Sequence, residues 1–282
     1  MTTVDRAPIR GGRAVPYFVP AALAVLVMIA ITAQKSGQFL DGGWKLVLVY
    51  ASPLVLLAMA QAPVVLSGGG GLDLSVGPGA GLVSVILAAG LIAHQISVAW
   101  IVIPAAVLLG VVIGAVNGSL VALIRIPPII ATLATYLVFA GIATQVLASP
   151  TGALPVWMDW FTDVEGVVPN VVWVMLLVGG LWWLLTRTAF WRNLLMVGSN
   201  DRAAYTAGVP VTAVRFVAYV LTGAMTGVAG LVLTAVLGGA DATVGPTYTM
   251  LAIAAVALGG ISLAGGRGGL LGAACGAALL FL

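Results

Sequence analysis

Charge is what this sequence has least of. Only 7% of its 282 residues are Asp, Glu, Lys or Arg, against 62% hydrophobic, and its mean hydropathy is +1.19. A soluble domain carries roughly 25% charged residues. This chain has too little charge to cover a water-facing surface, so most of its exterior faces a lipid bilayer. Cysteine occurs once, as Cys275 inside an apolar run. That excludes an intrachain disulfide and a multi-cysteine metal site, and Cys275 reads as packing. Histidine also occurs once, as His94, without companions for metal ligation or acid–base chemistry. The lysines are Lys35, after Gln34, and Lys45, after Trp44. A phosphate-binding loop needs a lysine behind a glycine-rich turn, so any ATP hydrolysis belongs to another subunit. The net charge of +3 is carried by an asymmetry along the chain and does not imply a nucleic-acid partner.

Long apolar runs are present in abundance. A hydrocarbon core about 30 Å thick needs about 20 apolar residues per helix. Spans are expected at Val15–Ala33, Leu46–Leu66, Leu74–Ala93, Val98–Ile124, Ile126–Leu147, Val168–Leu185, Val209–Leu237 and Tyr248–Leu263. Leu270–Leu282 is too short to cross and reads as the start of a ninth span in a chain truncated at its C-terminus. A β-barrel would alternate polarity over segments of about 10 residues, which unbroken runs such as Leu46–Leu66 do not do. The expected fold is all-α, a polytopic helical membrane protein of about 8–9 spans. Residues 1–14 would be a cytoplasmic tail and residues 15–282 one membrane domain. The first run follows Arg6, Arg10 and Arg13 but is longer than a signal-peptide core of roughly 7–15 residues, and reads as an uncleaved span.

The basic residues fix an orientation. With the N-terminus in the cytoplasm, Arg6, Arg10, Arg13, Arg125, Arg187, Arg192, Arg202, Arg215 and Arg267 fall on the inner side, and only Lys35 and Lys45 on the outer. This is the positive-inside pattern, and one missed span would scramble it. Tryptophans such as Trp44, Trp100, Trp157 and Trp183 lie near the expected interfaces. Glycines at Gly110 and Gly114, and at Gly223, Gly227 and Gly230, suit close helix packing. Pro53, Pro63 and Pro104 lie inside spans, where kinks or breaks are expected.

Three stretches interrupt the apolar pattern. In Ser67-Gly68-Gly69-Gly70-Gly71-Leu72-Asp73-Leu74-Ser75 four glycines precede an acid at the entrance of a span. An acid at membrane depth usually faces a cavity or a partner, so Asp73 and Ser75 are candidates for a pathway or gate. A tight turn with Asp73 as N-cap explains the same residues. Asn117, and Thr132 beyond Arg125-Ile126-Pro127-Pro128, suit either solute contact or hydrogen bonding between helices. The longest cytoplasmic loop, 187–210, contains Gly198, Asn200, Asp201, Ala203, Ala204 and Gly208. Ser199, Asn200 or Asp201 can cap a short helix there, which Gly208 and Pro210 would end. A short helix faced with Ala203, Ala204 and Ala207 can seat in a groove of a soluble partner; an ordinary connecting loop is the alternative.

These blocks resemble the membrane-spanning permease subunits of bacterial ATP-binding-cassette sugar importers of the ribose, xylose and galactose type. The resemblance rests on Gly70–Gly77 (GGLDLSVG), on Asn117-Gly118 with Pro127-Pro128 and Thr132-Leu133, on Gly198, Asn200, Ala203, Ala204 and Gly208, and on Ala252–Gly268 (AIAAVALGGISLAGGRG). It runs from about Leu46 to Leu282. It implies a second permease subunit, identical or related, and a cytoplasmic ATPase subunit that holds ATP and Mg, with no cofactor in this chain. It further implies a periplasmic or tethered sugar-binding protein and residence in the bacterial inner (plasma) membrane. The segment from Gly198 to Gly208 would be the coupling helix, and Asp73, Ser75, Asn117 and Thr132 would lie near the translocation pathway. A branched-chain amino acid permease of related fold and an ion-coupled secondary transporter are the alternatives. Asp73 is the one convincing acid for the latter, and LDLSVG and GGISLAGG favour the sugar branch.

Overall fold

The structure, a computed structural model, describes residues 16–152 and 154–282; the tail with Arg6, Arg10 and Arg13 lies outside them. All regular structure among the described residues is helical, apart from one isolated bridge between Thr151 and Ala240. The helices are α1 (Val19–Lys35), α2 (Trp44–Leu66), α3 (Val76–Val85), α4 (Ala99–Gly118), α5 (Pro128–Val146), α6 (Val171–Thr186), α7 (Ala189–Ser199), α8 (Asp201–Thr206), α9 (Val211–Leu237), α10 (Gly245–Leu258) and α11 (Leu270–Phe281). In lipid every backbone polar group must be satisfied within the protein, and helices do so segment by segment.

Each of the nine apolar segments is helical. Five are long and apolar enough to cross a membrane: Phe39–Leu66, Val76–His94, Ala99–Leu123, Pro128–Val146 and Val211–Leu237. A sixth requires α6 and α7 together, which are bent by 82° at their junction. The remaining three, α1, α10 and α11, are shorter apolar helices.

The loops segregate to two ends. At one end Lys45 Nζ donates to the carbonyls of Val164 and Gly166, Trp157 Nε1 donates to the Ser97 carbonyl, and Thr151 pairs with Ala240. At the other, Gly266 N–H donates to the Leu66 carbonyl at 3.1 Å, and Arg215 pairs with Asp201 at 3.2 Å. This second end is called the glycine end below. The two glycine-rich stretches around Gly70 and Gly260 both lie toward it.

The core is built around α2 and α9. From Ala51 to Leu66 every residue of α2 is buried. Pro53 and Pro63 do not break it, nor does Pro104 break α4. At Pro53 the reason is visible. Proline leaves the carbonyl four residues back without its N–H, and the Ser52 hydroxyl donates to that carbonyl, Val49, at 2.6 Å. Helices α4 and α9 touch backbone to backbone. A Cβ at Gly110 would meet the Gly223 carbonyl and the Gly227 nitrogen, and one at Gly223 would meet Gly114. The Thr222 hydroxyl ties α9 to the Ala60 carbonyl of α2 at 2.7 Å.

Candidate functional site

The break between α2 and α3 is made possible by glycine. Gly68, Gly69 and Gly70 adopt φ of 67°, 64° and 73°, left-handed values that cost a side chain with Cβ roughly 1–2 kcal/mol each. This left-handed run turns the chain back into the protein, where it delivers Asp73 to the interior, 2% exposed. Asp73 is not the N-cap of α3; that position is Ser75. Its Oδ1 instead accepts from the Ser75 N–H at 2.8 Å and the Ser75 hydroxyl at 2.7 Å, closing a turn before the helix.

Side chains from distant elements converge on this turn. Asn117 Nδ2, from α4, donates to Asp73 Oδ2 at 3.2 Å and to Ser75 Oγ at 2.7 Å. The Thr135 hydroxyl, from α5, donates to Asn117 Oδ1 at 2.7 Å. Gln61 Nε2, from α2, donates to the Asp73 carbonyl, Thr132 to the Leu72 carbonyl, and Thr249, from α10, to the Leu74 carbonyl. Asp73 and Ser75 from the turn, Asn117 from α4 and Thr132 from α5 thus form one buried network. A buried carboxylate is tolerable when several donors satisfy it, and here neutral donors do so. Sequence reading missed Gln61, Thr135 and Thr249. Gln61 stands alone in an apolar run and the two threonines lie near other hydroxyl residues, but nothing in these runs says what each faces.

The loop 187–210 resolves into α7, α8 and their caps. Asn200 is the cap: its Oδ1 accepts from the Ala203 N–H at 3.0 Å. Gly208, with φ 82°, follows the helix. The six candidate coupling residues divide into two groups. Asn200, Asp201, Ala203 and Gly208 are exposed, while Gly198 and Ala204 are buried. The small-residue face expected of Ala203, Ala204 and Ala207 is therefore incomplete, because Ala204 turns into the core and Tyr205 stands beside the exposed alanines. Gly198 belongs to a junction of three glycine segments. A Cβ on it would strike the Leu66 carbonyl and Gly266, one on Gly68 would strike Gly198, and one on Gly265 would strike Gly68. The last turn of α7, immediately before α8, is thereby locked against the turn that leads to Asp73 and against the α10–α11 loop.

Beside this junction lies a cavity of about 640 Å³, lined by the glycine turn, the α4–α5 connection, α8 and the start of α9. Arg125, Arg202 and Arg215 line it, and none of the four network residues Asp73, Ser75, Asn117 and Thr132 does.

The family described as branched-chain amino acid transport system / permease component matches residues 45–282. The chain belongs to this family. The ribose import permease protein of Escherichia coli is 34% identical over 270 residues, covering 92% of this chain and 82% of that one. The autoinducer 2 import system permease protein of Escherichia coli is 36% identical over 265 residues, covering 92% and 76% respectively. Its counterpart from Salmonella choleraesuis is 34% identical over 267 residues. No solved structure matches the chain significantly. The chain is accordingly a multi-pass transport permease of the ATP-binding-cassette importer type. This membership sets aside the ion-coupled secondary transporter.

Proposed function

We propose that this permease forms, with a second identical or related permease subunit, the inner-membrane pathway for a sugar-like, polyhydroxylated solute. A periplasmic or tethered binding protein delivers the solute, and a cytoplasmic ATPase subunit holding ATP and Mg drives its passage. The glycine end faces the cytoplasm, a reading supported by the arginines gathered there. The exposed residues Asn200, Asp201, Ala203 and Gly208 are the part of α8 that meets the ATPase, with Gly198 and Ala204 as its seat. The observation that carries this reading is the three-glycine junction. It gives a movement of α8 a stiff route, backbone against backbone, to the turn holding Asp73 and to the α10–α11 loop. Asp73, Ser75, Asn117 and Thr132 act from behind the pathway by fixing the position of α3, α4 and α5.

The sugar-like solute is supported by relatives named for ribose and autoinducer 2. The family description, which names branched-chain amino acids, favours a second reading. Uptake assays in a strain carrying the complete system decide between them. Accumulation of a labelled pentose or hexose, blocked by deleting this gene, supports the first reading. Accumulation of leucine or isoleucine instead overturns it.

A further inference from the structure

The cavity at the glycine end has a charge and a donor set that the transport of a neutral sugar leaves unused. Three arginines, Arg125, Arg202 and Arg215, line it against one acid, Asp201, so three positive charges less one negative leave a net +2. Arg215 is held in place. Its Nη2 pairs with Asp201 at 3.2 Å, and its guanidinium lies over Gly69, where a Cβ would collide with it. Yet its Nε has no hydrogen-bond partner among the described residues. One helical turn further along α9, Tyr219 is 1% exposed, also lines the cavity, and its hydroxyl likewise has no partner. A buried polar group left unpaired costs about 1–3 kcal/mol. Both atoms lie behind the cavity wall, without accessible surface of their own; what faces the cavity is the excess of positive charge from the arginines on its lining.

We infer that this cavity is a binding site for a phosphate-bearing anion. Guanidinium groups match phosphate oxygens in geometry as well as charge. The volume of about 640 Å³ exceeds what a bare phosphate fills. Thr206 and Thr212 on the lining suit an organic body attached to the phosphate. Asp201 competes for Arg215, so ligand and ion pair oppose each other. Since Asp201 sits on α8, occupancy bears directly on the helix assigned to the ATPase. That consequence rests on the proposed function; the binding itself does not.

The test uses the full-length permease in nanodiscs of zwitterionic lipid, titrated calorimetrically with glycerol phosphate, with inorganic phosphate, and with glycerol as the neutral control. Saturable binding of glycerol phosphate is expected, weakened at least about tenfold in Arg215→Gln, since a charged hydrogen bond is lost. It should tighten in Asp201→Asn, an exposed substitution that keeps the fold. A parallel arm asks whether phosphatidylglycerol is retained through purification. Retention that is lost in Arg215→Gln, without competition from soluble phosphate, supports the site with a lipid headgroup as the source. No binding in either arm, or binding indifferent to both substitutions, overturns the inference.

Discussion

At the scale of single residues, Asn117 holds the buried network together, because it donates to both Asp73 and Ser75 and accepts from Thr135. Asn117→Ala takes from Asp73 Oδ2 its donor, at about 1–3 kcal/mol for a buried group, while the Thr135 hydroxyl keeps the Ala131 and Thr132 carbonyls. A lowered melting temperature in detergent and reduced uptake are expected, and an unchanged melting curve would contradict the network's role. Gly198 makes a different kind of prediction. Gly198→Ala places a methyl against the backbone of Leu66 and Gly266, which no rotamer change relieves, so a loss of at least about 1–3 kcal/mol is expected. Gly179, in the middle of α6 with open space around it, is the control. Gly179→Ala should be neutral or stabilising by about 0.5–1 kcal/mol, and comparable destabilisation by both changes would remove the argument for the junction. That Asp73 and Asn117 would need hydrogen-bond partners was legible in the sequence, since polar side chains in apolar surroundings advertise themselves. Their partners Thr135, Gln61 and Thr249 were not, because hydrogen-bond geometry between helices is set by helix rotation, which hydropathy does not encode.

At the scale of elements, hydropathy located a helix in each of the nine apolar segments, because a run of lipid-compatible residues has one way to satisfy its backbone, but it did not locate α7, which lies in the segment 187–210 read as a loop. It placed the breaks less well. Prolines were expected to interrupt α2 and α4, but Ser52 supplies at Val49 the hydrogen bond that Pro53 removes, and the real interruptions are the left-handed glycines after α2 and the sharp α6–α7 bend. The close pair α4 and α9 depends on Gly110, Gly114, Gly223 and Gly227. Without a hydrophobic drive between helices in lipid, close van der Waals approach is what holds such pairs. Gly223→Val drives a branched side chain into the α4 backbone, so the two helices must separate. A fall in detergent stability larger than for Gly179→Ala, read as an earlier aggregation temperature by size-exclusion chromatography, is expected. Equal stability would show that the glycines are not needed for this contact.

At the scale of the whole molecule, the sequence blocks that carry the family resemblance prove to be neighbours. The glycine turn before Asp73, the segment from Gly198 to Gly208 and the loop around Gly265 meet at one end of the bundle, and Asn117 reaches the first of them from α4. Their order along the chain was legible; their meeting was not, because it depends on which long helices return to the same end and which backbones are bare enough to touch. This convergence is the physical basis for reading α8 as the point where force enters. Ala203 lies on the exposed side of α8 and Ala204 on the buried side, so the two neighbours separate docking from folding. Ala203→Asp should leave expression, melting temperature and membrane insertion intact, whereas Ala204→Asp buries an unpaired charge and should destabilise the protein.

The most direct measurement is co-purification of the permease from its native membrane in mild detergent, comparing the natural chain with Ala203→Asp. The account predicts a stoichiometric cytoplasmic ATPase with the natural chain, and its loss from an otherwise intact Ala203→Asp protein. An ATPase retained in full by that variant, or a transporting preparation that contains none, would contradict it.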